Sequence, residues 1–116
     1  MKDLIVYTSK DNRCPFLEWR NTLSTEYQVR VNKRLQRMRE GLYGDWKHLK
    51  NSKLSELRLD FGKGYRIYFK ELDNVIVLII AGSDKSNQKS TIKQAEKYYE
   101  DYIGVKNDTK FWRYFK

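Results

Sequence analysis

The sequence predicts an α+β domain whose helices pack on an antiparallel-rich sheet. Apolar residues recur at helical spacing in two early segments and one late one. Between them lie short runs of alternating or continuous apolar character, closed by Gly-rich or Asp-Asn turns. Helical and strand segments are grouped rather than strictly alternating, which favours α+β over a doubly wound parallel sheet.

Leu4-Ile5-Val6-Tyr7 is rich in β-formers and reads as the first strand. Pro15 fits a first helical turn, and Phe16, Trp19 and Leu23 follow at helical spacing. Thr25 with Gln28 fits a capping box for a second helix. That helix carries an apolar stripe, Tyr27, Val31, Leu35 and Met38, beside a basic one, Arg30, Lys33, Arg34 and Arg37. Gly41 and Gly44 end it, and Asp45 to Lys53 reads as a polar, basic loop. Leu57, Leu59 and Phe61 then alternate with Glu56, Arg58 and Asp60. Gly62-Lys63-Gly64 turns the chain into a strand alternating Tyr65, Ile67, Phe69 with Arg66, Tyr68, Lys70. After Asp73-Asn74, Val75 to Ile80 is apolar on both faces, as in a central strand covered on both sides. Ala81 to Lys85 reads as a loop, and Ser86 and Asn87 as caps of a last helix with Ile92, Ala95, Tyr99 and Tyr102 inside. Gly104 to Asp108 reads as a linker. Lys110 to Lys116 is aromatic and basic, with Phe111, Trp112, Tyr114 and Phe115 expected to pack on the body or on an oligomer partner.

The 116 residues suit one domain. With 24 Lys+Arg against 15 Asp+Glu, the net charge is 24 − 15 = +9, an attractive field for polyanions, nucleic acid first. One Cys, Cys14, excludes an internal disulfide framework, and one His, His48, argues against a multi-histidine metal site. The longest apolar run is too short to cross a bilayer and the N-terminal segment does not read as a signal peptide, so a cytoplasmic protein is expected.

Five segments carry a resemblance. They are Pro15-Phe16-Leu17-Glu18-Trp19, Gly44-Asp45-Trp46-Lys47, Glu56-Leu57-Arg58, Gly62-Lys63-Gly64-Tyr65-Arg66-Ile67-Tyr68-Phe69 and Asp84-Lys85-Ser86. In this order they resemble the RelE/ParE toxin superfamily, and within it the HigB-like addiction-module killer branch. The likeness runs from Leu4 to about Tyr102. It implies a RelE-like two-layer fold in the order β-α-α-β-β-β-α, with two N-terminal helices on the sheet and a C-terminal helix. That domain would span 1–103, with a basic aromatic extension over 104–116. It also implies the toxin of a type II toxin–antitoxin module, without cofactor or metal. The toxin would form a hetero-oligomer with a helix-turn-helix antitoxin. Many relatives are ribosome-dependent mRNA endonucleases, which inhibit translation by cutting mRNA in the ribosomal A site. The ParE side instead blocks DNA gyrase without cutting nucleic acid. The endonuclease is the leading expectation; a non-enzymatic gyrase inhibitor or an inactive relative is the alternative.

Cleavage of this kind uses the substrate's own 2′-OH as nucleophile, so the protein must stabilise phosphorane charge and manage two protons. The expected catalytic group is Arg66, Lys85, Arg58 and Glu56. Arg66 matches the arginine of the family's Gly-Tyr-Arg strand and suits a bidentate phosphate clamp, the alternative being an ion pair with Glu56 or Asp60. Arg58 would bind phosphate. Glu56 would act as a base or hold the arginines in place. Lys85 matches in position the basic residue some relatives use near the leaving group. Substrate contacts are expected from Lys47, His48, Lys50, Lys53 and Gln88, with rRNA contacts from Arg30, Lys33, Arg34 and Arg37. His48 is also readable as a solvated loop residue. Several relatives carry a tyrosine or histidine on the last helix, where this chain has Ile92, with Tyr98, Tyr99 and Tyr102 beyond it.

Overall fold

A computed structural model describes residues 1–105 and 113–114. The order is β1 (Asp3–Val6), α1 (Pro15–Asn21), α2 (Thr25–Arg39), β2 (Trp46–His48), β3 (Ser55–Arg58), β4 (Arg66–Glu71), β5 (Ile76–Ser83), α3 (Gln88–Val105) and β6 (Arg113–Tyr114). The strands form one mixed sheet, ordered β2-β3-β4-β5-β1-β6. The α+β class is as expected. The strand pairs are antiparallel except β1 with β5, which run parallel. The crossover through α1 and α2 is long enough to permit that direction.

The sheet is covered on both faces. Phe16 of α1 and Val31, Leu35 and Met38 of α2 pack with Leu4, Val6, Leu57, Ile67, Phe69, Val77 and Ile79. Ala95 and Tyr102 of α3 pack on the other face with Ile5, Tyr7, Tyr68, Leu78 and Ile80. The expected two layers are therefore three. The period-2 alternation explains the split, since neighbours along each strand point to opposite faces. β5 lies between β4 and β1 and is buried on both sides, as its continuous apolar run predicts.

Several local expectations change. Pro15 opens α1 as predicted. The cap of α2, however, is Ser24, whose Oγ accepts from the Tyr27 amide at 3.3 Å, so the capping residue is one position earlier than Thr25. Trp46–His48, expected in a loop, is an edge strand paired with β3. β3 ends at Arg58, short of Leu59 and Phe61, which nonetheless stay buried. Ala81, Gly82 and Ser83 extend β5 instead of forming a loop. Gly104 and Val105 continue α3 instead of starting a linker. The backbone of Arg113–Tyr114 pairs with β1; the expectations for Phe111, Trp112 and Phe115 lie outside the described residues. No helix among the described residues is long and apolar enough to cross a membrane.

Candidate active site

The turn between β3 and β4 sets the site. Gly62 and Gly64 both have positive φ, 68° and 69°, conformations that side-chain-bearing residues rarely adopt. The hairpin register places Arg58 opposite Arg66 and Glu56 opposite Tyr68. Arg66 in turn lies opposite Ser83 of β5. Glu56, Arg58, Arg66, Tyr68 and Ser83 thus share one face, at the end of the sheet where α3 begins.

Glu56 is completely buried. A carboxylate there is tolerable only when its charge is paired and its oxygens are hydrogen-bonded. Its Oε1 accepts from Arg58 Nε at 3.3 Å and lies 3.6 Å from Arg66 Nη1. Its Oε2 accepts from Gln88 Nε2 at 2.8 Å. Both oxygens have partners, so the carboxylate anchors the two arginines and Gln88. The Arg58 side chain is 38% exposed and that of Arg66 is 16% exposed, so both can present guanidinium edges outward. Arg66 Nε is buried with no hydrogen-bond partner among the described residues. Beneath them Tyr68 Oη and Ser83 Oγ lie 2.9 Å apart. Burial pushes the Tyr68 phenol up to about 12, with the Ser83 hydrogen bond opposing the shift.

Lys85 continues the same ladder. Its amide donates to the Lys63 carbonyl at 3.0 Å, and its Cβ lies 3.1 Å from where a Cβ on Gly64 would stand. Exposed Lys85 therefore stands beside the hairpin turn, two residues beyond the Arg66–Ser83 pair. Asp84 shapes this loop: its Oδ1 accepts from Ser86 Oγ at 2.6 Å and from the Ser86 and Asn87 amides. The Ser86 hydroxyl in particular holds the Asp84 carboxyl below its ordinary range. Gln88 opens α3 and reaches Glu56 directly: one N–H of its side-chain amide is given to the carboxylate.

The other expected contacts divide. Lys47 lies opposite Glu56 in the β2–β3 register and so shares its face. His48 is one step out of that row, opposite Ser55, with Nδ1 and Oγ 3.4 Å apart. His48, Lys50 and Lys53 line a separate cavity of about 650 Å³, facing Glu96, Tyr99 and Glu100 of α3. None of Glu56, Arg58, Arg66 or Gln88 lines it. The basic stripe of α2 borders another cleft, of about 280 Å³. There Arg30 lies over the Phe61 ring at 4.4 Å. Arg34 is not a free surface charge: Nη1 donates to the Arg58 carbonyl and Nη2 to the Tyr43 carbonyl, both at 2.9 Å. Burial pulls the Arg34 pKa down, with Asp60 acting in the opposite sense. Lys33 and Arg37 are exposed. The tyrosines of α3 serve packing, Tyr98 stacking on Tyr7 with centroids 5.1 Å apart and Tyr102 buried.

Sequence reasoning placed Arg58 and Arg66 together but passed over Ser83 and the structural use of Arg34. Tyr68 was visible only as a face-mate of Arg66. Strict alternation of β5 beyond Ile80 would have put Ser83 on the opposite face; the irregularity in the β4–β5 pairing beside Tyr68 and Phe69 brings it onto the site's face.

No family model and no solved structure matches the chain. A curated protein of Haemophilus influenzae, described as an uncharacterized protein, is 42% identical over 69 residues, which cover 60% of this chain and 69% of that relative. The chain belongs to the family of that H. influenzae protein.

Proposed function

We propose that the protein is a RelE/ParE-superfamily toxin of the HigB-like branch and acts as a ribosome-dependent mRNA endonuclease. The observation that carries this reading is the convergence of Arg58 and Arg66 on one buried carboxylate, with both side chains still partly exposed. Two positive charges against one negative leave the cluster net positive. A phosphodiester brought to this end of the sheet meets donors already held in place, which lowers the reorganisation needed as charge develops.

In this reading the substrate's 2′-oxygen attacks the adjacent phosphorus and the 5′-oxygen departs, leaving a 2′,3′-cyclic phosphate. Arg66 clamps the non-bridging oxygens and Arg58 adds a second guanidinium. Lys85 serves the departing 5′-oxygen from the loop before α3. Glu56 and Gln88 keep the arginines in position. The 2′-OH proton passes to solvent or to groups of the ribosome. Lys47, Lys33 and Arg37 add long-range attraction for RNA. The partner that silences the toxin is a helix-turn-helix antitoxin bound over the basic cluster.

The test is induction of the wild-type and Arg66→Ala chains, with primer extension on cellular mRNA. Wild type produces new ends inside translated codons; Arg66→Ala produces none, stops inhibiting growth and still binds the antitoxin. An Arg66→Ala chain that cuts at the wild-type rate removes the clamp. Intact mRNA with accumulated DNA breaks in the wild type points to gyrase inhibition instead.

A further inference from the structure

Arg58 is the last residue of β3, and both of its backbone groups are held from outside the β3–β4 hairpin. Its amide donates to the Asp45 carbonyl at 2.8 Å, and its carbonyl accepts from Arg34 Nη1 at 2.9 Å. The other arm of the same guanidinium, Nη2, holds the Tyr43 carbonyl at 2.9 Å. One planar group on α2 therefore bridges the chain just before β2 to the end of β3. Gly44 makes room for it: φ is +71°, and a Cβ there would lie 3.0 Å from Arg34 Nη2.

We propose that Arg34 is a positioning residue for Arg58, fixing the end of β3 so that the Arg58 guanidinium meets Glu56. Its effect on catalysis rests on the nuclease reading; its effect on Arg58 does not. Lysine is a poor replacement, because the guanidinium places Nη1 and Nη2 on separate carbonyls while an ammonium offers its donors from a single atom on a flexible stem.

The experiment uses the full chain with Arg34→Lys, Arg34→Met and, as a surface-charge control, Lys33→Ala. The first measurement is the 15N NMR signal of Arg58 Nε. Arg34→Lys and Arg34→Met shift it towards the position of a solvent-exposed arginine, while Lys33→Ala leaves it in place. The second is mRNA cleavage on ribosomes. Both Arg34 variants lose about a hundredfold in kcat with KM nearly constant, the scale expected when a catalytic group is displaced by about 1 Å. If Arg34→Met does not fold, Gly44→Ala crowds the same guanidinium without removing its charge and gives the same readout. An unchanged Arg58 signal in folded Arg34→Lys overturns the proposal, and so does cleavage by Arg34→Lys at the wild-type rate. A wild-type chain that cuts no mRNA, with Arg58 Nε still shifted in the Arg34 variants, removes the nuclease reading and leaves the positioning role standing.

Discussion

The two arginine-rich regions of this molecule treat the same side chain differently. On β3 and β4, Arg58 and Arg66 gather around the buried Glu56. On α2, Arg30 lies over Phe61, Arg34 is spent on two main-chain carbonyls, and Arg37 is exposed. A carboxylate anchors guanidiniums while leaving donor edges free for an incoming anion. Carbonyls and a ring consume the guanidinium itself. The comparison teaches that charge density alone does not mark a site. What marks it is convergence on one buried acid with donors left over.

The sharpest way to break this comparison is at Arg66. Arg66→Ala should slow mRNA cleavage by about 10²–10³-fold, the usual scale for removing one transition-state donor. Arg37→Ala, in single-turnover assays of the same ribosome complexes, should stay within tenfold. Equal losses would erase the distinction.

Next is Glu56→Ala, which strips the anchor and leaves two guanidiniums facing each other. A buried pair broken from one side costs about 3–5 kcal/mol, and the partial exposure of Arg58 reduces this to about 2–3 kcal/mol. Urea denaturation should show it as a lower midpoint, whereas Arg37→Ala should leave the midpoint nearly unchanged.

Tyr68→Phe removes the hydroxyl under the site and leaves Ser83 Oγ without it. A loss of about 1 kcal/mol is expected. This variant also carries a pH test. Folded Tyr68 holds its proton to about 12, against an ordinary 10.0. Above the ordinary value the unfolded chain has released that proton and the folded chain has not. Stability therefore falls as pH rises from 10.0 to about 12. Tyr68→Phe should flatten that decline in alkaline denaturation curves.

The smallest effect belongs to α2. Arg37→Ala should lower the salt dependence of RNA binding by about one phosphate contact while leaving the cleavage rate of bound mRNA unchanged. A changed rate with an unchanged salt slope would place Arg37 in the catalytic group.

Much of this architecture was legible in the chain, for physical reasons that differ by element. Alternation sufficed to put Glu56 and Arg58 on one strand face and Arg66 on the neighbouring strand of a hairpin, whereas the register that sets Arg58 against Arg66 depends on the longer connection over residues 59–65. The apolar run of β5 announced its central place, since only a doubly covered strand can hide both faces. What escaped depended on distant partners. Trp46–His48 has exposed side chains and becomes a strand only because β3 offers hydrogen bonds. Gln88 meets Glu56 across 32 residues, a pairing no local pattern encodes. Helical spacing showed the basic stripe of α2, but it could not reveal that Arg34 would reach the carbonyls of Arg58 and Tyr43.

The parallel pairing of β1 with β5 bears on how the chain comes to be folded as it is made. Leu4, Ile5 and Val6 leave the translating machinery early, yet their sheet partners Val77, Leu78 and Ile79 follow some seventy residues later. Until then the greasy N-terminal strand has no neighbour. The hairpin bearing both arginines needs only nearby residues and can form while β1 still waits. Contacts this remote in sequence slow folding, so completion of the core comes after the hairpin that carries Arg58 and Arg66 has been synthesised.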